Sequence, residues 1–201
     1  MIADVAELDP SRLAAILYGP QDDADSLLAD FAQGLLDAGA RIGGVIQHNP
    51  KDASGSKIGM EVIDLMTGRA ISICQPLGTG AMACKLDAGG LADAAMAVRR
   101  AIAAQVDLIV INKFSKQEAA GGGLRAELAE AIVSGIPVLT AVPEKCLRDW
   151  KVFTGDCGTT LLATPAAIGG WWRDLSSRMR RRPDETPATP GQPLLADHHV
   201  G

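Results

Sequence analysis

Aromatic residues are scarce in this chain, with three Trp, three Phe and one Tyr among 201 residues. A core without large rings must be filled by small aliphatics, and the 22 glycines and abundant alanines suit helices packed closely on a sheet. Histidine is equally rare at three residues, and His198 and His199 sit near the C-terminus, so no Ser/His/Asp set can be assembled. The four cysteines (Cys74, Cys84, Cys146, Cys157) include no Cys-x-x-Cys and have no nearby histidine, which argues against a zinc site. They are expected as thiols in a reducing compartment, with a lesser reading of Cys74 and Cys84 as soft ligands or a redox pair. No metal site is expected.

Long apolar runs are missing too. Leu108–Ile111 and Gly135–Val142 fall far short of a spanning helix, and Met1–Pro10 is acidic, with no basic-then-apolar leader. A cytoplasmic protein without membrane insertion is expected. The net charge of −5 excludes a chain whose main work is wrapping nucleic acid, and the small Arg178–Arg182 patch does not reverse that. With 47% apolar residues the chain is not disordered throughout.

What is present alternates between buried strands and amphipathic helices. Ser11–Tyr18 reads as a strand, and Asp25–Ala38 as a helix closed by Gly39. Arg41–Gln47 reads as a second strand, followed by a polar loop at Asn49–Lys57. Gly59–Leu65 and Arg69–Gln75 flank Met66-Thr67-Gly68 as a hairpin. Pro76–Cys84 is a Gly-containing loop leading into a helix from Asp87 to Ala104. Asp107–Asn112 is a strand, Lys113–Gly123 a polar loop, Leu124–Ser134 a helix and Ile136–Val142 a strand, with a short helix at Glu144–Trp150. The pattern predicts a three-layer α/β fold with a mostly parallel sheet and a β-hairpin insertion. One domain is expected over residues 11–175. From Arg178 the arginines give way to four prolines in the last nineteen residues, and 178–201 is expected to be a disordered Arg/Pro-rich tail.

In open α/β sheets ligands sit beyond the carboxyl ends of the strands. The first such turn reads Gly19-Pro20-Gln21-Asp22-Asp23-Ala24-Asp25-Ser26. Against the phosphate-loop pattern G-x-x-x-x-G-K-[ST], Gly19 and Ser26 match, while Ala24 and Asp25 stand where glycine and lysine belong. A phosphate loop works through backbone N–H groups and a lysine. Three aspartates repel phosphate instead, a like-charge pair at about 4 Å costing on the order of 4 kcal/mol near a surface before screening. The same aspartates and Ser26 also serve as caps in a first helical turn.

Asp107–Ile111 has the form of a Walker B strand, whose terminal carboxylate would hold magnesium. Here it ends Asn112-Lys113-Phe114-Ser115-Lys116-Gln117-Glu118, a reversal of sign opposite to that in the first loop. Asp25 and Lys113 are therefore expected to pair from adjacent strand ends across the old nucleotide site.

Arg41–Gln47, Ile58–Gly68 and Leu108–Glu118 resemble the P-loop nucleoside-triphosphatases first described from thermophilic bacteria. Gln75-Pro76-Leu77-Gly78-Thr79-Gly80, taken with Ile111–Ala119, resembles an uncharacterised bacterial family associated with molybdate-transport genes. The resemblance spans Ser11–Leu161. It implies a P-loop-derived α/β fold with degenerate Walker A and B motifs, in which the triphosphatases' lysine and Asp-Glu pair fall on Asp25, Asn112 and Lys113, and Glu118 corresponds to a later glutamate.

Candidate ligand-binding residues are Gly19 and Ser26, Gly78, Thr79, Gly80 and Lys85, then Asn112, Lys113, Lys116, Gln117 and Arg125. Together they supply ammonium groups, a hydroxyl, backbone N–H groups and the Gly121–Gly123 approach to a helix, equipment suited to an oxyanion or a phosphorylated molecule. Solvated lysines and plain turns are the other reading of the same residues. The expected function is binding of a small anionic ligand (molybdate, another oxyanion or a nucleotide), accessory to molybdenum handling and without ordinary triphosphatase chemistry. Two alternatives stand beside it. One is a triphosphatase in which Lys113 or Lys116 reaches the phosphates; the other is a module that recruits a protein partner, with Trp171-Trp172 as a docking element.

Overall fold

The continuously apolar runs of the sequence form the inner strands of a parallel sheet in the computed structural model, which describes residues 9–50, 52–55, 58–76 and 84–181. A 3-10 turn at Pro10–Arg12 precedes β1 (Leu13–Tyr18). Then come α1 (Ala24–Asp37), β2 (Ile42–His48), β3 (Glu61–Asp64) and β4 (Ala70–Ser72). β5 (Cys74–Pro76), β6 (Cys84–Leu86), α2 (Ala88–Ala103) and β7 (Leu108–Ile111) follow. The chain continues through α3 (Lys116–Ala119), α4 (Arg125–Val133) and β8 (Val138–Pro143). It ends with α5 (Leu147–Thr154), β9 (Thr159–Leu162) and α6 (Pro165–Arg181).

Seven strands make one sheet in the order β4-β3-β2-β7-β8-β1-β9. β2, β7, β8, β1 and β9 run parallel, and β3 and β4 add the antiparallel hairpin. β5 and β6 pair separately as a small antiparallel ribbon. Alternate residues of each central strand enter opposite cores. Ala15, Ile109, Ile111 and Val138 face α2, α4 and α5, whereas Ile16, Leu108, Val110 and Leu139 face α1 and α6. A strand buried on both faces has no polar alternation, which is why these runs read as unbroken apolar stretches.

Small residues bring the layers close. A Cβ on Gly43 of β2 would lie 2.4 Å from the Ala101 Cβ of α2, and one on Gly90 would lie 1.8 Å from the Ser72 carbonyl oxygen. The scarcity of aromatics thus reflects helices set almost directly on the sheet. The larger rings gather at one place, where Phe114, wholly buried, meets Trp150 at 5.2 Å and Phe153 at 5.3 Å between centroids.

Several expectations change. The segment after β7 is not wholly a loop: Ser115 and Glu118 form a capping box that starts α3. The run Arg69–Gln75 divides at Ile73, whose N–H donates to the Met60 carbonyl, and its end joins the second ribbon. β9 and α6 were not anticipated. α6 carries Arg178, Arg180 and Arg181 within its last turns, and residues 182–201 of the expected tail lie outside the described residues. Cys74 is disulfide-bonded, correcting the expectation of four thiols; Cys146 and Cys157 are free. Trp171 packs, with its indole N–H donating to the Ser11 carbonyl at 3.0 Å. No helix among the described residues is long and apolar enough to cross a membrane.

Candidate functional site

The carboxyl ends of β1, β2 and β7 meet at the first turn of α1. α1 carries the chain from β1 to β2, three strands along the sheet past β8 and β7, and its first turn reaches residues at the ends of β7 and β2. Asp25 occupies that first turn. Its Oδ1 accepts from Asn112 Nδ2 at 2.9 Å and from Lys113 Nζ at 3.2 Å, and its Oδ2 accepts from Asn49 Nδ2 at 3.2 Å. The expected Asp25–Lys113 pair therefore forms, though from strands separated by β8 rather than adjacent ones. Both partners are roughly three-quarters buried, at 22% and 24% side-chain exposure, which makes the pair less screened than a surface bridge. Lys113 Nζ also lies 5.7 Å from the centroid of the Tyr18 ring. Burial pushes the Tyr18 phenol above its ordinary pKa, against the pull of that ammonium.

The remaining loop carboxylates are turned on the loop itself. Asp22 Oδ2 accepts the Gly19 N–H at 2.8 Å. Asp23 Oδ1 accepts the Ser26 N–H at 3.0 Å, and its Oδ2 accepts the Ser26 hydroxyl at 2.7 Å. Two backbone donors and the hydroxyl that a phosphate loop would offer its ligand are taken by the chain's own side chains.

Asn112 and Lys113 are held by their neighbours. The Asn112 N–H donates to Val45 in β2, the Phe114 N–H donates to Ala141 in β8, and the Asn112–Lys113 peptide is cis. Beyond them a cavity of about 460 Å³ opens between the ends of β2, β3 and β7, the start of α2 and the α3 turn. Its walls are mostly apolar, including Met60, Val62, Ile73, Leu91 and Leu124, and its polar lining includes Gln47, Asn112, Lys113 and Gln117. Glu118 also lines it and is engaged by the turn: its Oε2 accepts the Ser115 N–H at 2.9 Å and the Ser115 hydroxyl at 3.2 Å, and its Oε1 accepts the Leu124 N–H at 3.2 Å. Asn112 is 4% exposed, and its Oδ1 has no hydrogen-bond partner.

The sequence-derived candidates divide accordingly. Asn112, Lys113 and Gln117 come together at the cavity, while Gly19 and Ser26 lie on the α1 side of the Asp25 cluster, engaged by Asp22 and Asp23. Lys116 is exposed on α3. Arg125 does not join them, because its Nη1 donates to the Glu118 carbonyl at 2.9 Å and its guanidinium stacks 4.4 Å from the Phe153 centroid. Lys85 lies in β6, whose pairing is described without that side chain, and Gly78, Thr79 and Gly80 lie outside the described residues. Sequence reasoning missed Gln47 and Asn49. The only available signal was their position at the end of a predicted strand, where α/β ligand sites gather.

A mostly parallel sheet with helices on both faces and a first strand–helix loop at its carboxyl edge defines an α/β protein of the P-loop nucleoside-triphosphatase fold. The chain belongs to the family described as Protein of unknown function (DUF2478), whose profile matches residues 13–171. A human cancer-related nucleoside triphosphatase, known from its solution structure, superimposes with a TM-score of 0.56 at 14% identity, over 85% of this chain and 100% of that one. THEP1 from the hyperthermophile Aquifex aeolicus gives a TM-score of 0.57 at 15% identity, over 84% of this chain and 99% of that one. In sequence, the chain is 68% identical over 192 residues to the molybdenum import ATP-binding protein ModC 2 of Bradyrhizobium diazoefficiens. That match takes in 96% of this chain but only 21% of the relative's length.

Proposed function

We propose that this chain is a small-ligand-binding domain built on a P-loop-type fold, accessory to molybdenum handling, in which ordinary triphosphatase chemistry is lost. The observation that carries the reading is Asp25, held by Asn49, Asn112 and Lys113 at the turn where a nucleotide's phosphates would need a cation. The residues present do not fit a magnesium–triphosphate group. Asn112 and Lys113 replace the carboxylates that would hold the metal, Lys113 is neutralised by Asp25, and Asp22 and Asp23 take the loop's donors. The Walker A and B motifs are accordingly read as degenerate. The molybdenum element draws on the name of the longer relative alone.

The ligand class expected from sequence was an oxyanion or a nucleotide. Among the described residues lining the cavity Lys113 is the only cation, so an oxyanion must draw it away from Asp25. The test is a thermal-shift panel on the full chain with molybdate, tungstate, sulfate, phosphate and magnesium with ATP, ADP or GTP, joined to a phosphate-release assay. A ligand at a hundred times its dissociation constant adds about 2.7 kcal/mol of stability. The expected result is no magnesium-dependent phosphate release. Hydrolysis that disappears in Lys113→Ala overturns the reading in favour of a triphosphatase using that lysine.

A second role, contact with a transport ATPase, is suggested by a relative in which this sequence occupies a fifth of a longer chain bearing an ATP-binding name. Co-elution with such an ATPase in size-exclusion chromatography supports that role; separate elution at micromolar concentration counts against it.

A further inference from the structure

α6 carries a basic face on its exposed side. Arg173, Arg178, Arg180 and Arg181 are all exposed, and at 3.6 residues per turn they fall within about 160° of the helix circumference. Ile168, Trp171 and Leu175 hold the other side in the core. Among the described residues none of the four arginines is in an ion pair, whereas Arg12, Arg41, Arg69, Arg99 and Arg100 each have a carboxylate partner. Arg178 Nε donates to the Asp174 carbonyl at 3.3 Å, which engages a backbone acceptor and leaves the charge unmatched. The helix dipole accounts for basic residues in a last turn, but not for Arg173 two turns before the end.

The face sits at one pole of the molecule. Trp171 bonds to the Ser11 carbonyl just before β1, so the last turns of α6 lie at the amino edge of the sheet. Asp9 is at that edge, its carboxyl held below the ordinary value first by the Ser11 hydroxyl and, more weakly, by Arg12 and Arg178. The loop carboxylates Asp22, Asp25 and Glu144 lie at the carboxyl edge instead. That is one strand length away, about 20 Å for six residues. Charges in physiological salt are screened over about 8 Å, so the net charge of −5 does not cancel the positive field around α6.

Three kinds of anionic surface match such a face, and its surroundings select among them. A stable protein interface is built around buried apolar anchors, yet none of the exposed large apolar side chains among the described residues belongs to α6. Reading of base edges calls for amide side chains beside the arginines, and α6 has neither Asn nor Gln. A lipid surface asks for spread cationic charge and an aromatic ring at headgroup level, and the half-buried Trp172, with Met179, flanks the arginines. We propose that this face of α6 docks the chain, without insertion, on a membrane surface bearing anionic phospholipid headgroups, through Arg173, Arg178, Arg180 and Arg181. The planar guanidinium fork suits the headgroup phosphate.

The test is flotation of the full chain with vesicles of phosphatidylcholine alone or mixed with phosphatidylglycerol, at low and high salt. The expected result is binding to the phosphatidylglycerol vesicles only, weakened by salt. Each arginine near such a surface is worth about fivefold in partition, so Arg178→Gln with Arg181→Gln should lower it about tenfold or more, a cooperative melt confirming the fold. Lys145→Gln with Arg148→Gln removes the same charge from exposed positions after β8, at the carboxyl edge, and should leave partition within about twofold. Equal binding to both vesicles, or equal loss in the two double variants, overturns the inference. Absence of binding overturns it too, including the case in which Asp184 or Glu185 of the full chain holds the arginines. Retention by poly-glutamate or by duplex DNA, with none on the vesicles, assigns the face to an acidic protein or to nucleic acid and removes the lipid reading.

Discussion

At the scale of single residues, Asp25 and Lys113 owe their partnership to two sign reversals in turns far apart in sequence. Their geometry is that of a partly buried pair at 3.2 Å, so a double-mutant cycle on Asp25→Ala and Lys113→Ala should give a coupling energy of about 1 kcal/mol in denaturant unfolding. Additive effects would mean that the pair contributes nothing to stability. This partnership was legible because each reversed charge stood at a position of a known pattern. Asn49 and Gln47 were not legible, since their roles arise only when the end of β2 meets the end of β7 and α1 crosses above both. Arg125 misled for the opposite reason: a guanidinium near a glycine run suggests an anion site, yet a carbonyl and a ring within reach had already engaged it.

At the scale of elements, two turns are held by buried carboxylates. In the β3–β4 hairpin Asp64, 1% exposed, accepts from Thr67 Oγ1 at 2.7 Å, from Arg100 at 2.9 Å and from the Met66 N–H at 3.0 Å. Burial alone would raise its pKa, but these donors outweigh it and hold the carboxyl below its ordinary value of 3.8. A depressed pKa in the folded state contributes stability that is present above the unfolded value and lost as pH falls through the folded one. Asp64→Asn should therefore cost about 2 to 3 kcal/mol near neutrality, short of a fully buried pair because Arg100 is half in water. The gap from wild type should narrow as pH falls below about 4, which chemical denaturation across pH would measure.

The α3–α4 turn is the second case. Gly123 has φ +61, and a Cβ there would come within 2.0 Å of Glu118 Oε1, whereas Gly121, at φ +92, has open space. Gly123→Ala should lose about 2 to 4 kcal/mol, by left-handed strain and a displaced Glu118, and Gly121→Ala about 1 kcal/mol by strain alone. Comparable losses in thermal melts would remove Glu118 from the account. The S-x-x-E spacing of Ser115 and Glu118 could have revealed α3. β9 could not be read in the same way, because only Leu161 of its four residues is buried. α6 hid its Ile168, Trp171 and Leu175 stripe behind paired glycines and an arginine-rich end.

Across the whole molecule, the order of strands and helices was readable because small aliphatics must be buried on both sides of the inner strands. The positions of the edges were not, since edge strands are short and half polar. The two cores share every central strand, so neither face can unfold alone. A chain limited to residues 9–181 is expected to melt in one transition within about 3 °C of the full chain, since a shift of that size corresponds to about 1 kcal/mol for a domain of this length. A second transition, or a larger fall, would show that stability depends on the remaining residues.

Asp25 orders a chain of amides, Asn112 and Asn49 giving it their NH₂ groups and Asn49 Oδ1 in turn accepting Gln47 Nε2, and this chain is reversible in principle. Each of its members is a side chain with a donor and an acceptor separated by half a turn about one bond. With an ammonium at position 25, Asn49 and Asn112 would present oxygens inward, and the far ends would become NH₂ groups. In this architecture the direction of a whole row of amides rests on the sign of one side chain in the first turn of α1.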